Sequence, residues 1–361
     1  MDPGCPLSRR AFLRACALGA GSLAVPGLAA CGGGEENKSI VASALATPTA
    51  PAPTPSPPAT ASARVALIRT TDRTEGVRRA IDLVSPEGLR GSRVYLKCNL
   101  NAPAPTPCVT HPDTLRALAL GILDRGVSHI TIGERSGVGA DTRKIAKEVG
   151  ILAVVQELGL DTLFLNEMDE QGWAKFHPPE SHWQDGVSVA RLLLDSDAVV
   201  QTCNLKTHMN AGFTLSLKNA VGMVPFELPG GGYNYMTEMH TSPFFSSMIA
   251  EINTVYTPAL VVMDGVRAFV DEGPTWGTEV EAGVILAGTD RVALDAVGVA
   301  ILRYLGTTPD VSSGLIFRQE QIRRAVELGL GVGSPSEIEI VTDDAEGEAY
   351  AATIRTVLDQ G

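Results

Sequence analysis

The stretch that decides the fold reads RVYLK at residues 93–97, PDTLRALALGILDR at 112–125 and HITIG at 129–133. The first and third segments are short apolar runs, which predict buried strands. The middle segment repeats leucine, alanine and isoleucine at helical spacing, which predicts an amphipathic helix. A strand, a helix and a second strand in this order are typical of a parallel sheet covered by helices.

The same alternation continues on both sides of this stretch. Further strands are predicted at Val65–Arg69, Thr162–Asn166, Ala198–Thr202, Ala259–Met263, Val284–Ala287 and Glu337–Val341. Further helices are predicted at Thr74–Val84, Asp141–Leu158, Arg291–Leu305 and Ile316–Leu328. We therefore predict an α/β protein with a mostly parallel sheet and flanking helices, built either as one large domain or as two lobes.

The first 31 residues follow the order of an export signal. Ser8-Arg9-Arg10-Ala11-Phe12-Leu13 resembles the twin-arginine (Tat) consensus, an apolar stretch follows it, and Leu28-Ala29-Ala30-Cys31 has the form of a lipobox. A transmembrane helix would need about 20 apolar residues without such glycine and proline interruptions, and a buried core helix would not explain the paired arginines. We predict that residues 1–31 are a Tat signal peptide with a lipobox and that Cys31 carries the lipid.

The remaining chain divides by composition. Residues 32–63 are rich in Gly, Ala, Thr and Pro, which predicts an extended linker without a core. The α/β domain is predicted over residues 64–345, and residues 346–361 are assigned to a C-terminal tail. We expect an extracytoplasmic protein whose one membrane contact is the lipid on Cys31. Tat carries folded proteins, many of which load a cofactor before export, so a cofactor is expected more than it otherwise would be.

The charge balance excludes one class of partner. The chain has a formal net charge of −12 at pH 7, and removal of residues 1–30 takes away three arginines and one aspartate, which leaves −14. So acidic a protein does not suit nucleic acid, whose phosphates would repel it. The oligomeric state is not indicated by the sequence.

Three cysteines lie in the predicted domain, at Cys98, Cys108 and Cys203. Cys98 and Cys108 flank a proline-rich loop short enough to close, and an oxidising compartment would favour a disulfide between them. Buried free thiols are the equal alternative, and metal ligation is a third. Because no CxxC pair is present, an iron–sulfur or structural zinc motif is not supported.

Polar residues gather where the predicted strands end. In open α/β sheets, ligands bind beyond the carboxyl ends of the strands. These ends carry Lys97 and Asn99, then Glu134, then Asn204, Lys206 and His208, and finally Asp264, with Lys218 and Asn219 shortly after the third group. We expect these side chains to converge on one site, whereas the alternative is that they are ordinary polar loop residues and helix caps.

Specific roles follow from the chemistry of the side chains. Lys206, His208 and Asp264 are the candidate catalytic residues, because a desolvated lysine and a histidine readily change charge near neutral pH. His208 and Asp264 are also candidate metal ligands. The cofactor-binding candidates are Lys97, Asn99, Glu134, Asn204, Lys218 and Asn219. A buried group of cations would repel itself, so we expect an anionic ligand or a compensating carboxylate such as Asp264.

Two further segments have a local interpretation. Residues 224–239 contain Pro229-Gly230-Gly231-Gly232 and show no clear periodicity, which favours a lid or binding loop. Residues 136–141 are glycine-rich but lack a complete dinucleotide or P-loop pattern, so a tight turn with Asp141 as a helix cap is expected.

The order of several short motifs resembles that of one family. These motifs are Lys97-x-Asn99, LKTH at 205–208, LKNAVG at 217–222, MDG at 263–265, EGPxxG at 272–277 and AGTDxVALDAVG at 287–298. Together they resemble domain-of-unknown-function family 362 over residues 64–333. Relatives often occur beside ferredoxin-type iron–sulfur modules, and this chain contains no such cysteine pattern. The resemblance therefore implies a fold and the position of a site rather than a reaction.

Two classes of function remain after these observations. The first is an enzyme, with a redox link as one option, that uses a metal ion or an anionic cofactor at the Lys/His/Asp site. The second is a non-catalytic lipoprotein that binds a small anionic solute or a metal. No Ser-His-Asp spacing, HExxH motif or P-loop decides between them.

Overall fold

One mixed sheet organises the part of the chain that the computed structural model describes, residues 62–137 and 139–361. Its strands are β1 (Ala63–Arg69), β2 (Arg93–Lys97), β3 (His129–Glu134), β4 (Asp161–Phe164), β7 (Ala198–His208), β8 (Gly212–Thr214), β9 (Pro258–Phe269), β10 (Glu279–Gly288) and β11 (Ile338–Val341). The order across the sheet is β11-β1-β10-β9-β7-β2-β3-β4, and β8 pairs with β7. A separate hairpin joins β5 (Trp173–Phe176) to β6 (Val187–Ala190).

Most pairings in the sheet are parallel, as predicted. β4, β3, β2, β7 and β9 run parallel in succession, and β1 is parallel to β11. β10 is the exception in the middle, because it is antiparallel to both β9 and β1. The described residues fall into a single contact unit, so one large domain is the alternative that the structure supports.

The helices lie between the strands. They are α1 (Arg73–Val84), α2 (Pro112–Leu123), α3 (Thr142–Glu148), α4 (Ile151–Leu158), α5 (Leu192–Asp195), α6 (Ser216–Asn219), α7 (Tyr235–Thr241), α8 (Phe245–Ile252), α9 (Arg291–Tyr304), α10 (Pro309–Ser312), α11 (Glu320–Glu327) and α12 (Ala345–Gln360). Aspartates cap several of them, including Asp141 on α3, as predicted, and Asp290 on α9. The single helix predicted over 141–158 is divided into α3 and α4, because Gly150 adopts a left-handed φ of 83° between them.

Both faces of the sheet are buried. Helices α1 to α4 cover one face through a cluster that includes Ile81, Leu118 and Val154. Helices α9, α11 and α12 cover part of the other face, and α7 and α8 cover the rest beside the β5–β6 hairpin. A sheet covered on both faces explains why its strands read as nearly continuous apolar runs.

Two predicted segments differ from the structure. The segment 224–239, expected as a lid or loop, ends in α7, and Val224, Tyr235 and Met239 are buried. The residues assigned to a tail, 346–361, mostly belong to α12, which buries Ala351, Ile354 and Leu358 in the core. An alanine- and leucine-containing face at helical spacing gives α12 the apolar stripe that a packed helix needs.

Of the alternatives left open for Cys98 and Cys108, the structure has free thiols rather than a disulfide. Both cysteines are free thiols, as is Cys203, and all three are buried. Cys98 and Cys108 pack instead into the apolar layer beneath α1 and α2. Burial raises the pKa of the Cys98 thiol to about 12, which is typical of an unreactive structural cysteine.

The predicted signal peptide, the lipobox with Cys31 and the linker up to residue 61 lie outside the described residues. Within the described part of the chain, no helix has both the length and the apolar character required to cross a bilayer. The linker was predicted to end at residue 63, and β1 already begins at Ala63.

Candidate functional site

The centre of the sheet holds the point where the strand order reverses. From β2 the chain moves outward through β3 and β4, and it then returns to β7 on the other side of β2. Such a reversal leaves a crevice beyond the carboxyl ends of the two adjacent strands, and ligands of open α/β sheets bind there. Lys97 ends β2, and Lys206 and His208 lie in the last three residues of β7.

Lys97 is fully paired at this point. Its ammonium lies 2.7 Å from Glu134 Oε2 and 3.1 Å from Asn219 Oδ1, and it also donates to the carbonyl of Cys98. Asn219 uses its amide nitrogen on Thr202 O, so both of its polar atoms are occupied. The compensating carboxylate for this lysine is thus Glu134, in place of the expected Asp264.

A glycine permits this pairing. A Cβ at Gly222 would lie 2.2 Å from Glu134 Oε1 and 2.8 Å from Lys97 Nζ. The backbone of the LKNAVG motif therefore passes directly over the buried ion pair, and only glycine leaves room for it.

Lys206 lies two residues before the end of β7 and is completely buried. Its ammonium donates to Asn99 Oδ1 at 2.8 Å and to the carbonyl of Cys108. Asn99 is therefore a partner of the lysine, and two of the three ammonium hydrogens are used. Burial is the main cause that lowers the pKa of Lys206 to about 8, and the positive charge of Lys97 acts in the same direction.

Lys218 differs from the other two lysines. Among the described residues it has no hydrogen-bond or ion-pair partner. The centroid of the Phe245 ring lies 5.9 Å from its ammonium nitrogen. Its side chain is only partly exposed. Burial lowers the pKa of Lys218 to about 7, and the nearby charges of Lys206 and Arg135 act in the same direction.

Helix α6 fixes the position of Lys218. The buried carboxylate of Asp295 on α9 accepts hydrogen bonds from Ser216 N at 2.8 Å, from Leu217 N at 3.0 Å and from the Ser216 hydroxyl. These bonds hold the first turn of α6, so Asp295 in the ALDAVG motif supports the lysine without reaching the site itself. Burial raises the pKa of Asp295 to about 6.

Two histidines complete the surroundings of Phe245. The rings of His208 and His240 lie 6.2 Å and 5.0 Å from it. His208 Nδ1 accepts from the backbone nitrogens of Asn210 and Ala211, so the ring carries its proton on Nε2. Burial holds the pKa of His208 well below its usual range, and burial also lowers that of His240 to about 4. Both imidazoles are neutral at pH 7.

Arg135 adds a permanent charge. Its guanidinium donates to three backbone carbonyls, Val224 O at 2.6 Å, Ser136 O at 2.7 Å and Val221 O at 3.0 Å. These bonds also tie the segment before α7 to the edge of β3. We refer below to the cationic cluster, which consists of Arg135, Lys206, His208, Lys218 and His240.

Asp264 belongs to a different set of contacts. It lies within β9, opposite Asn204 on β7, and its carboxylate accepts from Arg73 Nε at 2.8 Å and from Thr114 Oγ1 at 2.6 Å. The nitrogen of Val266 donates to its other oxygen. The acceptors of Asp264 are thus engaged by α1, α2 and its own strand.

The contacts do not favour the metal-ligand roles expected for His208 and Asp264. Asp264 is paired with a cation, and the Nδ1 atom of His208 is occupied by two backbone amides. Over residues 62–137 and 139–361, no group of three or more His, Cys, Asp or Glu side chains is placed to hold a metal ion.

Asn204 retains one unused polar atom. Its amide nitrogen donates to Val109 O, whereas its buried Oδ1 has no hydrogen-bond partner in the described part of the protein. Asn204 is also not in a loop, because β7 continues to His208 and β9 continues to Phe269. The predicted strands 198–202 and 259–263 were therefore too short at their carboxyl ends.

The structure therefore brings together most of the predicted residues but gives them different roles. The supporting contacts are made by Lys97, Glu134, Asn99 and Asn219. Burial first, and then the charges of Lys218 and Lys206, lower the pKa of His208. Arg135, His240 and Phe245 were not assigned to the site from the sequence. Arg135 directly follows the strand end at Glu134, and that position was the one available signal.

The surface also contains a cleft elsewhere. It encloses about 620 Å³ on the outer side of α7, where His182, Gln184, Tyr233 and Phe244 line it. None of the residues of the cationic cluster lines this cleft. The cluster is covered by α7 and by the start of α8, in keeping with the burial of Met236 and Met239.

Comparison with known proteins gives a family and one curated relative. A family model described as "Domain of unknown function (DUF362)" matches residues 94–300. The chain is 28% identical over 216 residues to Thylakoid-associated protein sll1697 of Synechocystis sp., covering 59% of this chain and 64% of that protein. The chain thus spans less than two thirds of that relative's length.

A search of solved structures returned the lactate racemase apoprotein from Thermoanaerobacterium thermosaccharolyticum. The alignment has a TM-score of 0.39 and 10% sequence identity, and it covers 82% of this chain and 86% of that chain.

Proposed function

The chain belongs to the DUF362 family, whose description assigns no reaction, and we propose on the contacts above that its cationic cluster binds a small anion. The anion enters beyond the carboxyl ends of β2 and β7. It carries two or more negative charges, because within the described part of the chain Lys206, Lys218 and Arg135 lack a paired carboxylate, whereas Glu134 is already paired with Lys97.

The observation that carries this proposal is the isolation of Lys218. A half-buried ammonium among other cations is costly unless an opposite charge compensates it. Within the described residues no carboxylate contacts Lys218, although carboxylates pair with Lys97 and Arg73 close by. A ligand with negative charge supplies the missing partner.

Each group has a distinct part in holding the anion. Lys218 offers all three ammonium hydrogens, and Lys206 offers the one not used on Asn99 and Cys108. His208 offers Nε2–H, because its Nδ1 is occupied. Arg135 contributes its charge from within a set of backbone carbonyls. Charge-assisted hydrogen bonds of this kind are the strong ones in protein sites.

Isothermal titration of the purified protein with sulfate, phosphate and succinate tests the proposal. We expect saturable binding of at least one of these anions and a loss of about 10-fold or more in affinity for Lys218→Met, since one charge-assisted bond contributes ~1.5–3 kcal/mol. Lys147→Met is the matched control, because Lys147 is exposed on α3. Absence of binding, or equal affinity of the two variants, contradicts the proposal.

Anion binding is common to the enzyme and to the solute-binding lipoprotein considered from the sequence. The contacts favour what the two functions share, a cation at Lys218 without a carboxylate partner among the described residues. Neither function requires that the described side chains form a set of metal ligands.

We also propose that the protein is exported by the Tat route and anchored by lipid on Cys31. The paired Arg9 and Arg10, the lipobox and the proline-rich spacer support this location. Cys31→Ala should release the protein from the membrane fraction, and Arg9→Lys with Arg10→Lys should block export. Retention of the Cys31→Ala variant in membranes would rule out the lipid anchor.

A further inference from the structure

Lys218 has the surroundings of a nucleophilic amine as well as those of an anion-binding group. It is the one lysine of the three whose nitrogen donates to no acceptor in the described part of the chain. The ring of Phe245 lies 5.9 Å away, and the facing charged or titratable groups are Lys206, His208, His240 and Arg135. Two of these are permanent or nearly permanent cations, which disfavour a further positive charge.

We propose that Lys218 forms an imine with the carbonyl carbon of a small anion that also carries an aldehyde or ketone, such as a 2-oxo acid. This inference rests on the proposed anion site, since Lys206 and Arg135 hold the charged end of the ligand while Lys218 faces its carbonyl. A lysine that is desolvated or placed beside another cation is the arrangement that activates an amine for this chemistry.

The other two lysines do not have the required freedom. The Lys97 nitrogen is held by a carboxylate, an amide oxygen and a carbonyl, all of which stabilise the ammonium form. Lys206 is held by two acceptors. No residue that the structure describes offers Lys218 such an acceptor, and its pKa of about 7 leaves a substantial fraction of the neutral amine at physiological pH.

The reaction needs no oxidant, reductant or co-reactant beyond water. The lone pair of the neutral amine forms a bond to the carbonyl carbon, and the carbonyl π pair moves to oxygen. A proton passes from nitrogen to that oxygen, which gives a carbinolamine. Loss of the hydroxyl group as water, with a second proton, leaves the carbon–nitrogen double bond. The neutral His208 Nε2–H is placed to donate a hydrogen bond to the developing oxygen charge. Addition of water reverses the sequence.

Reductive trapping tests the inference on the whole protein. The protein is incubated with pyruvate or glyoxylate and sodium cyanoborohydride, digested with a protease that does not cleave at lysine, and mapped by mass spectrometry. We expect a stable secondary amine on Lys218 at a level at least 10-fold above that on the exposed Lys144 and Lys147 in the same sample. Sulfate, which cannot form an imine, should suppress the adduct by competition.

The outcomes separate this inference from the proposed function. If wild-type protein binds sulfate but Lys218 is trapped no more than Lys144 and Lys147, imine formation is overturned and anion binding stands. If neither sulfate binding nor trapping occurs, both fail. Lys218→Arg removes the primary amine, so the adduct at position 218 should disappear while the low labelling of Lys144 and Lys147 stays unchanged. Persistence of the same total labelling in Lys218→Arg would show that the trapped amine is another lysine.

Discussion

Asp264 within β9 and Lys218 on α6 are two charged residues whose surroundings differ in one respect, the presence of a partner. Asp264 is 0% exposed, and Arg73, Thr114 and the Val266 amide all donate to it. Lys218 is half-buried, and no acceptor among the described residues pairs with its charge, which lies 5.9 Å from the ring of Phe245. Both residues belong to motifs that the sequence marks as prominent. What distinguishes the two charges is whether each has a partner. The paired charge of Asp264 is structural, whereas the charge of Lys218 is available to a ligand.

This difference has an energetic meaning. A buried ion pair is strongly destabilised when one partner is removed, because the other charge is left without compensation. An unpaired cation already bears that penalty, so its removal should not destabilise the fold. Substitutions in the two regions should therefore change stability in opposite directions.

The largest effect is expected for Arg73→Met. The substitution leaves the Asp264 carboxylate buried without its cation, and we expect the free energy of unfolding to fall by about 3–5 kcal/mol in urea titrations. Arg73→Met combined with Asp264→Asn should recover much of this loss. A loss below about 1 kcal/mol for the single variant would show that Asp264 is not held chiefly by the ion pair.

The next effect is expected for Gly222→Ala, which adds a methyl group beside the Lys97–Glu134 pair. Because the new Cβ would lie 2.2 Å from Glu134 Oε1, the loop or the pair must move, at a cost of up to about 3 kcal/mol. Gly333→Ala is the matched control, since a Cβ there would make only ordinary contacts, 3.6 Å from Val326 Cγ1, and neither glycine has a left-handed φ. Equal thermal stability of the Gly222 variant and wild type would contradict the close approach.

A smaller effect is expected for Asp295→Asn, which sharpens the comparison by loosening the support of Lys218. One of the two backbone nitrogens at the start of α6 loses its acceptor, so we expect about 1–2 kcal/mol of destabilisation and weaker sulfate binding. Asp290→Asn is the matched control, because Asp290 caps the same helix, α9, without contacting α6. If both variants bind sulfate equally well, Asp295 does not position the lysine.

The smallest effect, and one of opposite sign, is expected for Lys218→Met. Removal of an unpaired, half-buried cation should leave stability unchanged or raise it by about 1 kcal/mol at pH 7. The pKa of Lys218 is lowered in the fold to about 7, so above that pH the unfolded chain holds a proton that the folded chain does not. Wild-type stability should consequently rise with pH from about 7 towards 10, and the advantage of the variant should shrink. Denaturant titrations of both proteins at pH 6, 7, 8 and 9 measure this trend, and a growing advantage would contradict it.

Local patterns predicted the fold class because each strand and helix carries its own apolar periodicity. The strands β7 and β9 were predicted too short for the same reason: the apolar runs end at Cys203 and Met263, whereas the hydrogen-bonded ladder continues past Asn204 and Asp264. A polar side chain inside a strand is tolerated here because it finds a partner from another element, and that partner is distant in the sequence.

The sequence indicated which polar side chains follow the strands, but not the contacts that these side chains make. The rule that ligands lie beyond strand ends identified Lys97, Lys206 and His208, since each follows an apolar run. The same rule could not distinguish Lys97, which is paired with Glu134, from Lys218, which is not. His240 and Phe245 reach the site from α7 and α8, whose packing over β7 is a tertiary feature that no local spacing encodes.

The central claim is that the unpartnered cation of Lys218, unlike the paired charge of Asp264, holds an anion. Crystals grown with selenate, an anomalously scattering analogue of sulfate, would test it most directly. The account predicts an anomalous peak within hydrogen-bond distance of Lys218 Nζ, close to Lys206 or His208 Nε2, that disappears in Lys218→Met. Selenate found only at exposed side chains, with no peak beside Lys218, would contradict it.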